Sequence, residues 1–161
     1  MRLRRHHASA HRSEWKDIRA VVVEVDDRPT GAGVRPGERE RTRALLSRIA
    51  AEAVLLQDDG ELVLADVKAR RPLSGVAERG GPIVSRLTAL RAAVPECADP
   101  ELAAQAAALR EVLDHHAMLL AASLELLSLD WRSPSILEQL EQLDGFGRPA
   151  ARLEALRAAL A

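Results

Sequence analysis

The spacing of apolar positions divides the chain into an ambiguous first part and a strongly helical second. Residues 1–12 have no apolar period and read as a flexible basic arm. In "SEWKDIRAVVVEVDDRPTG", Val21, Val22, Val23 and Val25 are β-branched and stop at a Pro/Gly turn, which favours a strand over about 20–25. Trp15, Ile18, Val22 and Val25 also fall at 3–4–3 spacing behind Ser13, so a capped helix competes with that strand. "RPTGAGVRPGE" is a loop by its glycines and prolines. A helix over about 38–56 then places Leu45, Ile49, Ala53 and Leu56 on one face. "QDDGELVLADV" predicts a turn and a short strand near 61–67, either closing a hairpin or pairing with 20–25. Pro72 and Gly80-Gly81-Pro82 end this small mixed α/β part, 13–80.

From Ile83 the period becomes helical throughout. Ile83, Leu87, Leu90 and Val94 step 4–3–4 and stop at Pro95. Asp99-Pro100 offers an N-cap and a first helical residue, opening a long central helix to about Leu129. Leu and Ala fill 17 of positions 101–129, which favours both helix and burial. Ser133 is placed to cap a short helix through Ile136, Leu140 and Leu143, ended by "DGFG". Pro149 starts the last helix, with Leu153, Leu156 and Leu160 inward. The expected fold is mainly α: a helical bundle over 81–161 around the helix 100–129, one compact domain with the mixed part before it.

Length and composition agree with this. At 161 residues and 47% hydrophobic, the chain suits one domain with a real core. Its three aromatics, Trp15, Trp131 and Phe146, leave few stacking platforms for single-stranded nucleic acid. Cys97 is the single cysteine, so no intramolecular disulfide can form and a reducing cytoplasm is the expected compartment. The basic start is followed by no apolar run of a secretory signal, and no stretch approaches a membrane span, so no membrane partner is expected. A net charge of −1 conceals polarity: residues 1–48 hold 12 Lys/Arg against 7 Asp/Glu, residues 99–147 only 2 Arg against 9 acids. Such polarity can orient self-association or a charged partner.

Candidate chemistry centres on "EVLDHHAMLLAASLELL". Leu102, Ala106, Leu109, Leu113, His116, Leu120, Ser123 and Leu127 form a heptad seam, which turns His116 and Ser123 inward as polar core or interface residues. His115 lies to one side, one turn after Glu111. Glu111, His115 and His116 are therefore weak metal candidates, lacking the paired Glu-x-x-His motifs of a four-helix carboxylate site. Arg2, Arg4 and Arg5 in the arm, with Arg39, Arg41 and Arg43 on the first helix, are candidates for nucleic-acid phosphates, without a recognition motif beside them. "TGAGVRPG" has glycines but neither the P-loop ending nor the dinucleotide spacing, and no cofactor is expected.

The functional expectation is a non-enzymatic cytoplasmic helical protein acting through protein–protein contact, as an adaptor, regulatory or assembly component that self-associates. Residues 117–127 are apolar except Ser123 and Glu125 and need cover nearly all round, which a second copy or a partner would complete. The alternatives are a nucleic-acid-associated regulator using the basic N-terminal half, and a metal-binding or enzymatic bundle centred on Glu111, His115 and His116.

Overall fold

The computed structural model describes residues 36–129 and 133–161 and folds them into five helices: α1 (Pro36–Lys68), α2 (Leu73–Ala93), α3 (Pro100–Leu126), α4 (Pro134–Gln142) and α5 (Arg148–Leu160). The basic arm and the strand expected at 20–25 lie outside the described residues. The strand expected at 61–67 does not exist. That segment is the last two turns of α1, a 33-residue helix about 50 Å long.

The reason is a period that runs straight through the supposed turn. Leu46, Ala50, Ala53, Gln57, Gly60, Leu64 and Val67 step 4–3–4–3–4–3, and all are buried. Asp58 and Asp59 point to solvent while Gly60 faces inward, so "DDG" is one helical turn and not a hairpin. α1 ends where the chain can stop it. Arg70 takes a left-handed φ of 55°, its N–H donates to the Val67 carbonyl, and the Arg71 N–H reaches back to Asp66. This paired closure satisfies two terminal carbonyls, and Pro72 follows where a helix cannot continue.

α2 likewise passes through Gly80-Gly81-Pro82, where the sequence predicts a break. Pro82 removes one backbone donor, leaving the Glu78 carbonyl without its helical partner at a residue whose side chain is exposed. Gly80 is needed for contact: a Cβ there would lie 2.9 Å from Leu124 and 3.1 Å from Val63. Side chains of α1 and α3 occupy the space that any other residue would fill.

α3 begins as expected. The Asp99 carboxylate accepts from the N–H groups of Glu101 and Leu102, each at 3.0 Å. Ser133 occupies the N-cap of α4, but its hydroxyl meets Ser135 and makes no backbone cap.

α1 and α3 form the centre, and each packs against both α2 and α5. α4 makes only a light contact with α1. The seam of α3 is covered by this arrangement: Leu102, Ala106, Leu109, Leu113, His116, Leu120 and Ser123 are all buried. α1 and α2 are longer than expected, and with α5 they cover this inward seam. On the outer side of α3, Met118 remains 71% exposed. No helix among the described residues is long and apolar enough to cross a membrane.

Arginines tie the helix ends together. Arg110 of α3 donates to the Val94 and Pro95 carbonyls, capping the C-terminus of α2 with a cation. Arg39 pairs with Asp99 at 3.1 Å and with Glu101 at 2.8 Å, joining the start of α1 to the start of α3. Asp99 thus serves both cap and bridge. Replacing it by alanine is predicted to cost about 1–2 kcal/mol, as loss of a helix N-cap does. Urea unfolding of Asp99→Ala against the parent chain checks this, and an unchanged midpoint would show that the cap is dispensable.

Candidate functional site

Among the described residues the buried polar side chains are Gln57, His116 and Ser123, and the first two meet. His116 is fully buried on α3, and both ring nitrogens have partners. Nδ1 lies 2.8 Å from the Val112 carbonyl, which can only accept, so Nδ1 carries the proton and donates. Nε2 lies 3.1 Å from the Gln57 amide oxygen position. In a neutral ring Nε2 is an acceptor, so the amide must present its NH2 there, by the half-turn that exchanges its two ends. An imidazolium would donate to both oxygens instead. Burial decides between them. It pushes the His116 pKa down to about 4, against a smaller upward pull from the Val112 carbonyl, and His115 adds a further downward push.

Phe146 closes this site from outside α1 and α3. It sits in the loop between α4 and α5, stacked on His116 with ring centroids 4.0 Å apart and planes 16° from parallel. Its own N–H donates to the Glu61 carboxylate of α1 at 2.9 Å. Two glycines allow this. Gly145 turns the chain with φ 56°, a conformation that costs glycine little. Gly60 leaves the ring its place, since a Cβ there would lie 2.8 Å from two Phe146 ring carbons. Ser123 is satisfied within its own helix, donating to Leu119 at 2.7 Å. Among the described residues no buried side-chain nitrogen or oxygen lacks a partner.

The other histidine faces a different environment. His115 is exposed and lines a cleft of about 230 Å³ between α3 and α5 with Glu111, Val112, Arg148, Pro149 and Arg152. Glu111 is bound to Arg152 at 2.9 Å. Two guanidiniums beside one carboxylate disfavour a cation, and the cleft's charge suits a small anion better. Glu111, His115 and His116 therefore do not converge as metal ligands: one is engaged by arginine, one faces the cleft and one is turned into the core. Among the described residues no group of three or more His, Cys, Asp or Glu side chains could hold a metal ion.

The arginines proposed for phosphate contact on α1 are exposed, and each also bonds to another part of the chain. Arg39 bridges to α3, Arg41 donates to the Gly37 carbonyl at 2.8 Å, and Arg43 donates to the Ala159 carbonyl of α5 at 3.0 Å. Arg2, Arg4 and Arg5 lie outside the described residues. Sequence reasoning missed Gln57, Gly60, Glu61 and Phe146. The signal for the first two was the buried period of α1, and for Phe146 it was the chain's lone phenylalanine between two glycines.

In comparison with known proteins, the chain matches no family model, no curated protein and no solved structure.

Two predictions follow from this geometry. A Gly→Ala change inside a helix ordinarily stabilises by up to about 1 kcal/mol. Here Gly60→Ala is expected to destabilise, because the stacked Phe146 ring cannot move aside; a rise in melting temperature would refute the fit. The second concerns pH. The native pKa of His116 lies below its ordinary value of 6.5, so the unfolded chain binds more protons and stability rises with pH between about 4 and 6.5. Falling through that window, the native state should lose about 3 kcal/mol through this group. Urea unfolding at pH 7 and pH 4 should show a smaller loss in His116→Gln, which hydrogen-bonds without titrating. Equal losses in both proteins would remove His116 as the cause.

Proposed function

We propose that this chain is a non-enzymatic helical protein that acts through protein–protein contact, as an adaptor, regulatory or assembly component, and that it associates with itself. The observation that carries this reading is on the outer side of α1. Leu55 and Leu62 stand two turns apart on one face and are 66% and 65% exposed. Full burial of a leucine side chain contributes about 1.5–3 kcal/mol relative to leaving it in water. Two on one face favour a partner that covers them.

The interior supports the same reading. Both nitrogens of His116 are engaged in holding the bundle, and burial keeps the ring neutral near pH 7. It acts as a structural group, not as a proton carrier. We place the protein in the cytoplasm, where the unpaired thiol of Cys97 stays reduced. Two of the arginines of α1 that a nucleic-acid reading would use, Arg39 and Arg43, also tie α1 to α3 and α5, which weighs against that alternative.

Light scattering over a range of concentrations tests self-association. The mass should rise above the 17.5 kDa of one chain as concentration increases. A mass of one chain at every concentration would overturn it.

A further inference from the structure

The two exposed leucines belong to a longer pattern. Arg41, Ala44, Arg48, Ala51, Leu55, Asp58, Leu62 and Ala65 step 3–4–3–4–3–4–3 along α1, and every one is exposed. This is a complete heptad seam on the side of the helix opposite its buried stripe. One helix thus carries two seams: one turned to its own bundle, one to solvent.

The composition of the outer seam identifies its occupant. The geometry points to a second copy of this chain, packed antiparallel along α1 with the two-fold axis at the level of Ala53. This deepens the self-association proposed above and rests on it. In that register the positions facing each other sum to 106. Arg48 faces Asp58 of the other copy, and Asp58 faces its Arg48. Leu55 faces Ala51, Leu62 faces Ala44, and Arg41 faces Ala65.

Large residues meet small ones and opposite charges meet, all in the same register. First heptad positions meet fourth positions, as antiparallel helix pairs require. A parallel pair would set Arg48 against Arg48 and Asp58 against Asp58, and is disfavoured on charge. Neither Arg48 nor Asp58 has an ion-pair partner among the described residues, whereas Arg39 is engaged by α3 and Arg43 by α5. Glu52 flanks the axis and would approach its own copy, but it already carries Arg86 as counterion. The alanines let the helices approach closely along about 36 Å. A single helix pair of this length is a small interface, so the dissociation constant belongs in the micromolar range.

The experiment is a charge exchange on the full chain, read by sedimentation equilibrium, with circular dichroism confirming that each exposed substitution leaves the helices intact. Arg48→Asp and Asp58→Arg should each weaken the dimer by about tenfold or more. The double variant R48D/D58R should restore it, and an equimolar mixture of the two single variants should form a heterodimer. Leu55→Glu should abolish association. If the parent chain is monomeric throughout, both the seam and the self-association reading fail. If it associates but Leu55→Glu and the charge variants leave that unchanged, the seam fails and self-association stands through another face. If the single variants weaken the dimer but the double variant does not restore it, the antiparallel register is wrong. If the parent is monomeric and L55E exposes residues 1–35 to protease, that segment covers α1 and the proposal is overturned.

Discussion

The structure depends on one constraint: a polar imidazole placed in the seam between the two longest helices must be satisfied without water. His116 meets it by pairing with Val112 behind it and Gln57 across the gap, and by lying flat against Phe146. Each partner fixes a different part of the chain. Gln57 sets the register of α1 against α3, because a shift of one residue would turn it away from the ring. Phe146 fixes the α4–α5 loop, from which α5 packs against both α1 and α3. An apolar residue at 116 would bury as well but would not discriminate among registers, since the surrounding leucines and alanines are nearly interchangeable.

The bundle compensates for its poverty in aromatics by close approach. Gly60 admits a ring, Gly80 admits Leu124 and Val63, and alanines line both faces of α1 and α3. Small residues at such contacts let helices approach closely enough for aliphatic side chains to interdigitate. The charged groups act mainly at the ends. Arg39, Arg43 and Arg110 each join a helix to a terminus of another, where backbone carbonyls or a capping carboxylate need a partner.

What the sequence made legible was the part governed by a local rule. Asp99-Pro100 marked the start of α3 because a cap and a first-turn proline need only their neighbours. The inward orientation of His116 followed from the step of leucines on either side. The second half of α1 was misread because Asp58-Asp59-Gly60 satisfies a local turn rule, while the residue that overrules it, Phe146, is 86 positions away from Gly60. Pro82 within α2 misled in the same way: tertiary packing around Gly80 outweighs the local cost of the proline. The period of α1 was present in the sequence but included Gln57 and Gly60, whose inward places are explained only by His116 and Phe146.

The place of Phe146 in the chain has a consequence for the order in which the molecule is made. α1, α2 and α3 leave the ribosome with their mutual faces complete but with an open slot over His116 and Gly60. The ring that fills that slot comes 20 residues after the end of α3. Until it emerges, the imidazole is open to water. The centre of the bundle becomes dry only when the α4–α5 loop docks.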